Sequence, residues 1–521
     1  MPRPPKKPEP QAESVRISTT IHIGAGSVSM LVADQRPDGQ LRPLDFLEQP
    51  APVARDIFRT GNISLGTTER IVEIVRGFQE SLAELGLEPC AVTRTVGTNI
   101  LSEARNHETV TNRIRVACGL DVNIIDDGEM TRLIYLKTRR RLQHLPAMRR
   151  ENTLVVHVGP GNTRVLLFTN GGITRYTSYR MGAYRTREAV EGSHAEGPSL
   201  LRVIRQHALG NIEQVRLDYA DVEINGMVVI GYEVQAVAEE LVGGSSSCTL
   251  PKLRQFTTAA SESSDVELVK RFQLDYQTAE AILPALEINL AIAEILNLDD
   301  IHIPRSEYEQ GLLHDILVSG ERELRGTLAE EVLRSARILA NRYQSDPRHG
   351  NHVGSLCKRL FDELADIHLL DEHDELLLQV AAILHEVGTY VSPRAHHKHS
   401  EYLILNSEIF GLDRLDVTIV ALVARYHRHS GPVLEHRAYA NLDVRNRIRV
   451  SKLAALLRVA DALERTHEQR VSEIVFRRER DRLRLRLPGL GDTAVERLAM
   501  ASKGDLFEKV FGLTVTIDED R

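Results

Sequence analysis

Tryptophan is absent from the 521 residues, and cysteine occurs only four times, at Cys90, Cys118, Cys248 and Cys357. The four lie far apart and form no CxxC pair. No disulfide framework or cysteine-based zinc site is legible, and they read as reduced, mostly buried thiols. No apolar run approaches the ~18 residues that a membrane-spanning helix needs. The first residues lack the apolar core of a signal peptide. These absences point to a cytoplasmic protein with no membrane partner. A basic excess is missing too, since the formal net charge is −8. A general nucleic-acid binder carries a basic footprint, so that class is set aside. An anionic ligand stays open, because a local cradle can be positive on an acidic protein.

What is present is an ordinary globular composition, 42% hydrophobic and 26% charged. The chain is too long for one core, and two to four domains are expected. Residues 1–14 are Pro- and Lys-rich with almost no apolar content, and read as a disordered tail. Residues 21–32 give a strand, a turn through Gly24-Ala25-Gly26-Ser27 and a second strand. Residues 154–168 repeat that unit through Gly159-Pro160-Gly161, about 135 residues later, a sign of internal duplication. Between them, helical spacing over 67–86 puts Ile71, Val72, Ile74, Val75, Phe78 and Leu82 on one side. Strands are expected at 91–96 and 122–125, and helices at 106–118 and 129–143. Residues 241–264, rich in Gly, Ser and Thr, predict a loop or linker. From 327 to 467 the pattern is almost entirely helical. Strands at 474–478, 483–487 and 513–517, with a helix near 495–501, predict a small α+β end forming its own lobe.

Taken in order, the stretches IHIGAGSVSMLVA (21–33), VGTNILSEARN (96–106), IIDDGEMTRLIYL (124–136), VVHVGPGNTRVLLF (155–168), EYEQGLLHDIL (307–317), AAILHEVG (381–388), HHKHSEYLILNSEIFGL (396–412), LVARYHRH (422–429) and LLRVADALERT (456–466) resemble the exopolyphosphatase/guanosine pentaphosphate phosphohydrolase family. The resemblance implies an α/β then α architecture. Two actin-like (ribonuclease-H-like) lobes would flank a cleft over 15–145 and 146–320. An HD-type helical domain over 321–468 and a small C-terminal α+β lobe over 469–521 would follow. It also implies Mg2+, polyphosphate or guanosine phosphates as ligands, and a homodimer.

Cleaving a phosphoanhydride needs backbone N–H groups around phosphate, carboxylates on a metal and a carboxylate that directs water. By resemblance, the phosphate contacts fall on Gly24, Gly26, Ser27, Arg105, Gly159, Gly161, Asn162, Thr163 and Arg164. The carboxylates are another matter. The family's first turn, Asp-Leu-Gly-Ser-Asn-Ser, reads here from His22 to Ser27. Its second, Asp-Ile-Gly-Gly-Gly-Ser-Thr-Glu, reads from His157 to Arg164. Both acids of the second turn are gone, and Pro160 removes one N–H donor. The family's general base falls on Met130, with Glu129 one residue earlier and rotated by about 100° on a helix. Ser102 stands where the family has an Arg, and the later family turns have become Gly231-Tyr232-Glu233 and Tyr308-Glu309-Gln310-Gly311. Weak or lost hydrolysis by the usual route is therefore expected. His22, His157 and Arg164 then read as relics in a closed or structural cleft; a cleft that binds an anion through Arg164 without cleaving it is one alternative, and a new metal site from His22, His157 and Glu129 is another.

HD-type domains hold a divalent metal through a His, a His-Asp pair and a later Asp. The resemblance places these roles on His352, His385, Glu386 and Asp461, while the 381–388 run also reads as a plain core helix ending at Gly388. His396, His397, His399, His427 and His429 crowd the same half. Three readings stand: an exopolyphosphatase-type hydrolase with altered residues, a non-catalytic regulator that binds polyphosphate or a nucleotide, and a phosphohydrolase of the HD-type domain alone.

Overall fold

Two hairpins with matching turns organise the N-terminal half. The computed structural model describes residues 16–35, 41–86, 92–125, 127–142, 152–304 and 323–518. The tail at 1–14, Cys90 and the 307–317 stretch lie outside them. Strands β1 (Arg16–Ile23) and β2 (Ser27–Gln35) pair antiparallel with His22 opposite Ser29. β3 (Leu41–Pro50) flanks β2, while β4 (Val92–Gly97) and β5 (Asn123–Ile124) extend the sheet in parallel beyond β1. The order is β3-β2-β1-β4-β5. The expected 67–86 helix runs Leu65–Glu84, started by Ser64, whose side chain accepts from the Thr67 N–H. All six apolar residues named for its inner face are buried.

The second sheet holds β6 (Asn152–Val158), β7 (Thr163–Thr169), β8 (Gly172–Tyr179), β9 (Gly226–Ile230), β10 (Ser247–Thr249) and β11 (Asp300–His302). Its order is β10-β11-β9-β6-β7-β8, with β6, β9 and β11 parallel. β9 is buried throughout and β6 at all but its first residue, as expected of parallel strands covered on both faces.

The 241–264 stretch is not the expected linker. It contains β10 and a helix over Leu250–Ser261, with Pro251 in its first turn and Leu253, Thr257 and Ala260 buried. The hydroxyls that suggested a loop bond back to the helix's own carbonyls, Thr257 to Leu253 at 2.8 Å and Thr258 to Arg254 at 3.0 Å. They therefore do not compete with the helix.

The described residues fall into two compact units: those of 1–126, 133–165 and 178–321, and those of 127–132, 166–177 and 322–521. In the second, helices Glu323–Arg342, Pro347–Glu363, Glu372–Leu384, Arg414–Arg425 and Val444–Leu463 carry the core. β12 (Val475–Arg478), β13 (Arg482–Arg486) and β14 (Thr514–Ile517) form a third sheet in that order. Leu483, Leu485, Phe507, Val515 and Ile517 belong to the same apolar cluster as Val353, Leu377 and Leu457. The C-terminal strands thus share the helices' core.

Candidate functional site

The two Gly turns close alike. Gly24 N–H donates to Ser27 O at 2.8 Å, and Gly159 N–H to Asn162 O at 2.9 Å. Each turn then receives bonds from a following helix start. Ala54 N–H bonds Ala25 O, and Arg185 N–H bonds Pro160 O. Gly182 has to be glycine: a Cβ there would run into Pro160 O and Gly161 C.

The turns are packed against the chain's own side chains. A Cβ on Gly24 would lie 3.3 Å from the His22 ring, and one on Gly26 3.0 Å from the Tyr184 hydroxyl. A Cβ on Gly159 would lie 3.1 Å from the His157 ring and 3.4 Å from the Arg164 guanidinium. Gly161 is boxed by Phe58, Arg185 and Glu103 at 3.2 to 3.4 Å. Arg185 bonds both Gly161 O at 2.8 Å and Glu103, over the Phe58 ring. His22, His157 and Arg164 are buried at 3%, 4% and 2% exposure. Ser27 donates to Glu48 at 2.6 Å, and Thr163 to the Met181 carbonyl. Arg105 is exposed, its guanidinium beside Gly61, and the Asn106 side chain clamps the Ile63 backbone. Met130 is buried at 4%, and Glu129 pairs with Arg132 at 2.5 Å.

A Mg2+ ion wants oxygen ligands. The mapped positions offer two imidazoles, a guanidinium and a thioether, so this donor set does not fit it. Two groups of close ligand atoms occur among the described residues, and both lie in the helical half: His349, His385 and Asp461, and His349, Glu386 and His467. Neither includes His22, His157 or Glu129.

That second centre is assembled from separate elements. Asp346 caps the helix Pro347–Glu363 and places His349 in its first turn. His385 follows the last residue of the helix Glu372–Leu384, and Asp461 lies within Val444–Leu463. His349 Nε2 is 3.2 Å from His385 Nε2, 4.0 Å from Asp461 Oδ1 and 3.9 Å from Glu386 Oε2. His385 Nε2 is 3.9 Å from the same Asp461 oxygen. His385 Nδ1 lies 2.7 Å from Ala382 O, which takes its proton and leaves the Nε2 lone pair facing the centre. The His467 ring stacks on His349 at 3.7 Å.

His352, the expected ligand, turns instead to the buried Glu464, 3.2 Å away. His349 takes its place because it continues the inward stripe of Val353, Leu356 and Leu360, at helical spacing. That stripe was the available sequence signal. His385 and Asp461 come together at His349, while Glu386 meets His349 and His467 in the other group.

Burial, with His385 and His467 adding to it, pushes His349 down to about 2. Burial works against an ionised Asp461, but Lys503 beside it, then His385 and His427, hold it below the usual carboxylate range. A cavity of about 510 Å³ opens here, lined by Glu386, His396, His427, Asp461 and the cations Arg428, Arg465 and Lys503.

Gly388 sets the spacing of the centre. It sits in a 3-10 turn, Val387–Tyr390, rather than ending a helix. A Cβ there would run into His396 O and Ser400 N. Gly388→Ala is expected to destabilise the fold by about 2–3 kcal/mol, as overpacking against backbone does. Urea unfolding checks this, and an unchanged midpoint would contradict it.

The family model described as Ppx/GppA phosphatase family matches residues 53–320, and that described as Ppx/GppA phosphatase, domain III, matches 333–494. A guanosine-5'-triphosphate,3'-diphosphate pyrophosphatase of Vibrio cholerae serotype O1 is 25% identical over 490 residues, covering 92% of this chain and 93% of its own. The protein of that name from Vibrio parahaemolyticus serotype O3:K6 is 23% identical over 453 residues, covering 86% and 88%. Among solved structures, an exopolyphosphatase from Cytophaga hutchinsonii shares the fold with TM-score 0.50 at 15% identity, over 59% of this chain and 99% of that one.

Proposed function

The chain belongs to the Ppx/GppA phosphatase family, and from that premise we propose that it hydrolyses a phosphate ester or anhydride at a divalent metal held in its helical domain, its Gly-turn cleft being silent. The observation that carries this is the convergence of His349, His385 and Asp461 ligand atoms within 4.8 Å of one another. Three supports add to it. The positions of the family's acids hold His22, Met130, His157 and Arg164 instead. The turn glycines sit close to the chain's own side chains. The helical centre, by contrast, opens on a cavity with three cations, suited to an anionic substrate. The domain limits that accompany this reading are 15–145 and 146–320 for two lobes, 321–468 for an HD-type domain and 469–521 for the C-terminal end.

A bound divalent cation supplies charge neutralisation to a phosphoryl group and makes water more acidic. The protein's part is positional. His349, His385 and Asp461 would hold the cation, and Ala382 O fixes the His385 tautomer. Arg428 and Arg465 would bind the phosphate oxygens, while Lys503 stays paired with Asp461. Water oxygen adds to phosphorus, the bridging P–O bond breaks, and the leaving oxygen takes a proton. Guanosine phosphates and short polyphosphate are the first substrates to try, given what the relatives' names say of them.

The test is phosphate release with Mn2+ or Zn2+, comparing wild type with His385→Ala. The variant should lose at least 100-fold in kcat/KM. Wild-type release with Mg2+ from long-chain polyphosphate, undiminished in His385→Ala, would overturn the reading.

A further inference from the structure

Arg458 carries a charge into the interior of the helical unit. It is 1% exposed and lies one turn before Asp461 on the helix Val444–Leu463. A buried guanidinium is tolerated only with its N–H groups bonded and its charge paired. Three bonds do this. Nε donates to Lys503 O at 2.9 Å, Nη1 to His429 O at 3.0 Å and Nη2 to Asp505 Oδ1 at 2.5 Å. None of the three acceptors belongs to the helix that carries Arg458. Burial pulls the guanidinium below its ordinary pKa, with Asp505 and Asp461 opposing. A well-packed apolar side chain could fill the same space without that cost. What the guanidinium adds is the tie between the 429 and 503 segments.

Both segments line the cavity beside Asp461, where they place Arg428, His429 and Lys503. The Lys503 ammonium is paired with Asp461. Arg458 and Asp461, one turn apart, therefore grip the same residue, one by its carbonyl and the other by its side chain. His429 has a left-handed backbone, φ 62, which persists only where the surroundings fix it. The Arg458 bond to its carbonyl is part of that fixing, and it sets the residue next to Arg428.

We propose that Arg458 is a positioning residue for anion binding: one buried guanidinium holds Arg428 toward the cavity and Lys503 on Asp461 as a single wall. This rests on the reading that the helical centre acts on a phosphate compound.

The test uses the full chain carrying Arg458→Lys, which keeps a charge but loses the planar fork that spans three acceptors. Acetylation by acetic anhydride, read by mass spectrometry, reports the tie without metal or substrate. Labelling of Lys503 is expected to rise about 10-fold, as the loss of charge-assisted hydrogen bonds implies. Lys452, on the same helix and held by His368 O at 2.6 Å, should label as in wild type. Lys503 unchanged, or both lysines rising together, overturns the proposal. In the Mn2+-loaded protein, KM for phosphate release and Kd for inorganic phosphate should both rise about 10-fold, with kcat within about 2-fold. Unchanged KM and Kd beside a labelled Lys503 overturn the role in anion binding. If Arg458→Lys does not fold, Asp505→Ala, at the exposed end of the same tie, is read in the same way with a smaller rise, and wild-type behaviour there overturns the proposal. Wild-type protein that binds phosphate but releases none overturns the hydrolytic reading alone, and one that does neither overturns both.

Discussion

Asp461→Asn is expected to lower divalent-metal affinity at least 100-fold and to abolish metal-dependent phosphate release. Asp461 is 3% exposed and is the carboxylate facing both His349 and His385. Its charge is also what keeps the Lys503 ammonium paired, on a side chain that is itself only 13% exposed. Removing one partner of a buried pair costs about 3–5 kcal/mol, because the other charge is left without compensation. The single variant should therefore be unstable as well as metal-free. Adding Lys503→Met removes the orphaned charge. Asp461→Asn/Lys503→Met should regain most of the stability while still failing to bind metal. Calorimetric metal titration and urea unfolding of the single and double variants measure both effects. Metal affinity near wild type in the double variant would contradict the role given to Asp461.

The metal-free protein should also be sharply acid-sensitive. His349, His396 and His427 all have their pKa pushed below the ordinary histidine value, chiefly by burial. The unfolded chain then binds more protons than the folded one wherever pH lies between the folded values and about 6.5. Stability is fully present above about pH 6.5 and is lost as pH falls, down to about 2 for His349. A histidine held that low contributes a slope of up to ~1.4 kcal/mol per pH unit, so His349 alone costs about 1 kcal/mol between pH 6 and pH 5, and His396 and His427 act in the same direction. Denaturant midpoints of chelator-treated protein across this range provide the check. A flat profile would mean that these imidazoles are charged or solvated in the fold.

Much of the architecture was legible because it is periodic. The stripe of Ile71, Val72, Val75, Phe78 and Leu82 specifies its helix, and the continuous apolar run of β6 specifies a covered strand. The 241–264 helix was hidden because Ser and Thr read as loop formers, whereas their hydroxyls here close on the preceding turn. In the centre, His385, Glu386 and Asp461 were visible as motif residues. His349 was obscured by His352, three residues on, and only the inward stripe through Val353 and Leu356 separates them. No local pattern could show that His396 meets His427. That contact depends on how Gly388 seats one helix against another turn.

The sharing of one core by the helices and the last strands has a consequence for biosynthesis. Lys503, the partner of Asp461, comes after all five core helices in chain order, as do Phe507 and Ile517. Domains generally fold N-terminal first as the chain emerges, so the β-rich unit can settle while the helical unit waits unfinished on the ribosome. Until residues 495–503 are made, the cavity of His396, His427 and Asp461 lacks one wall. A chain cut before them would keep the Gly-turn half while losing the partner of Asp461.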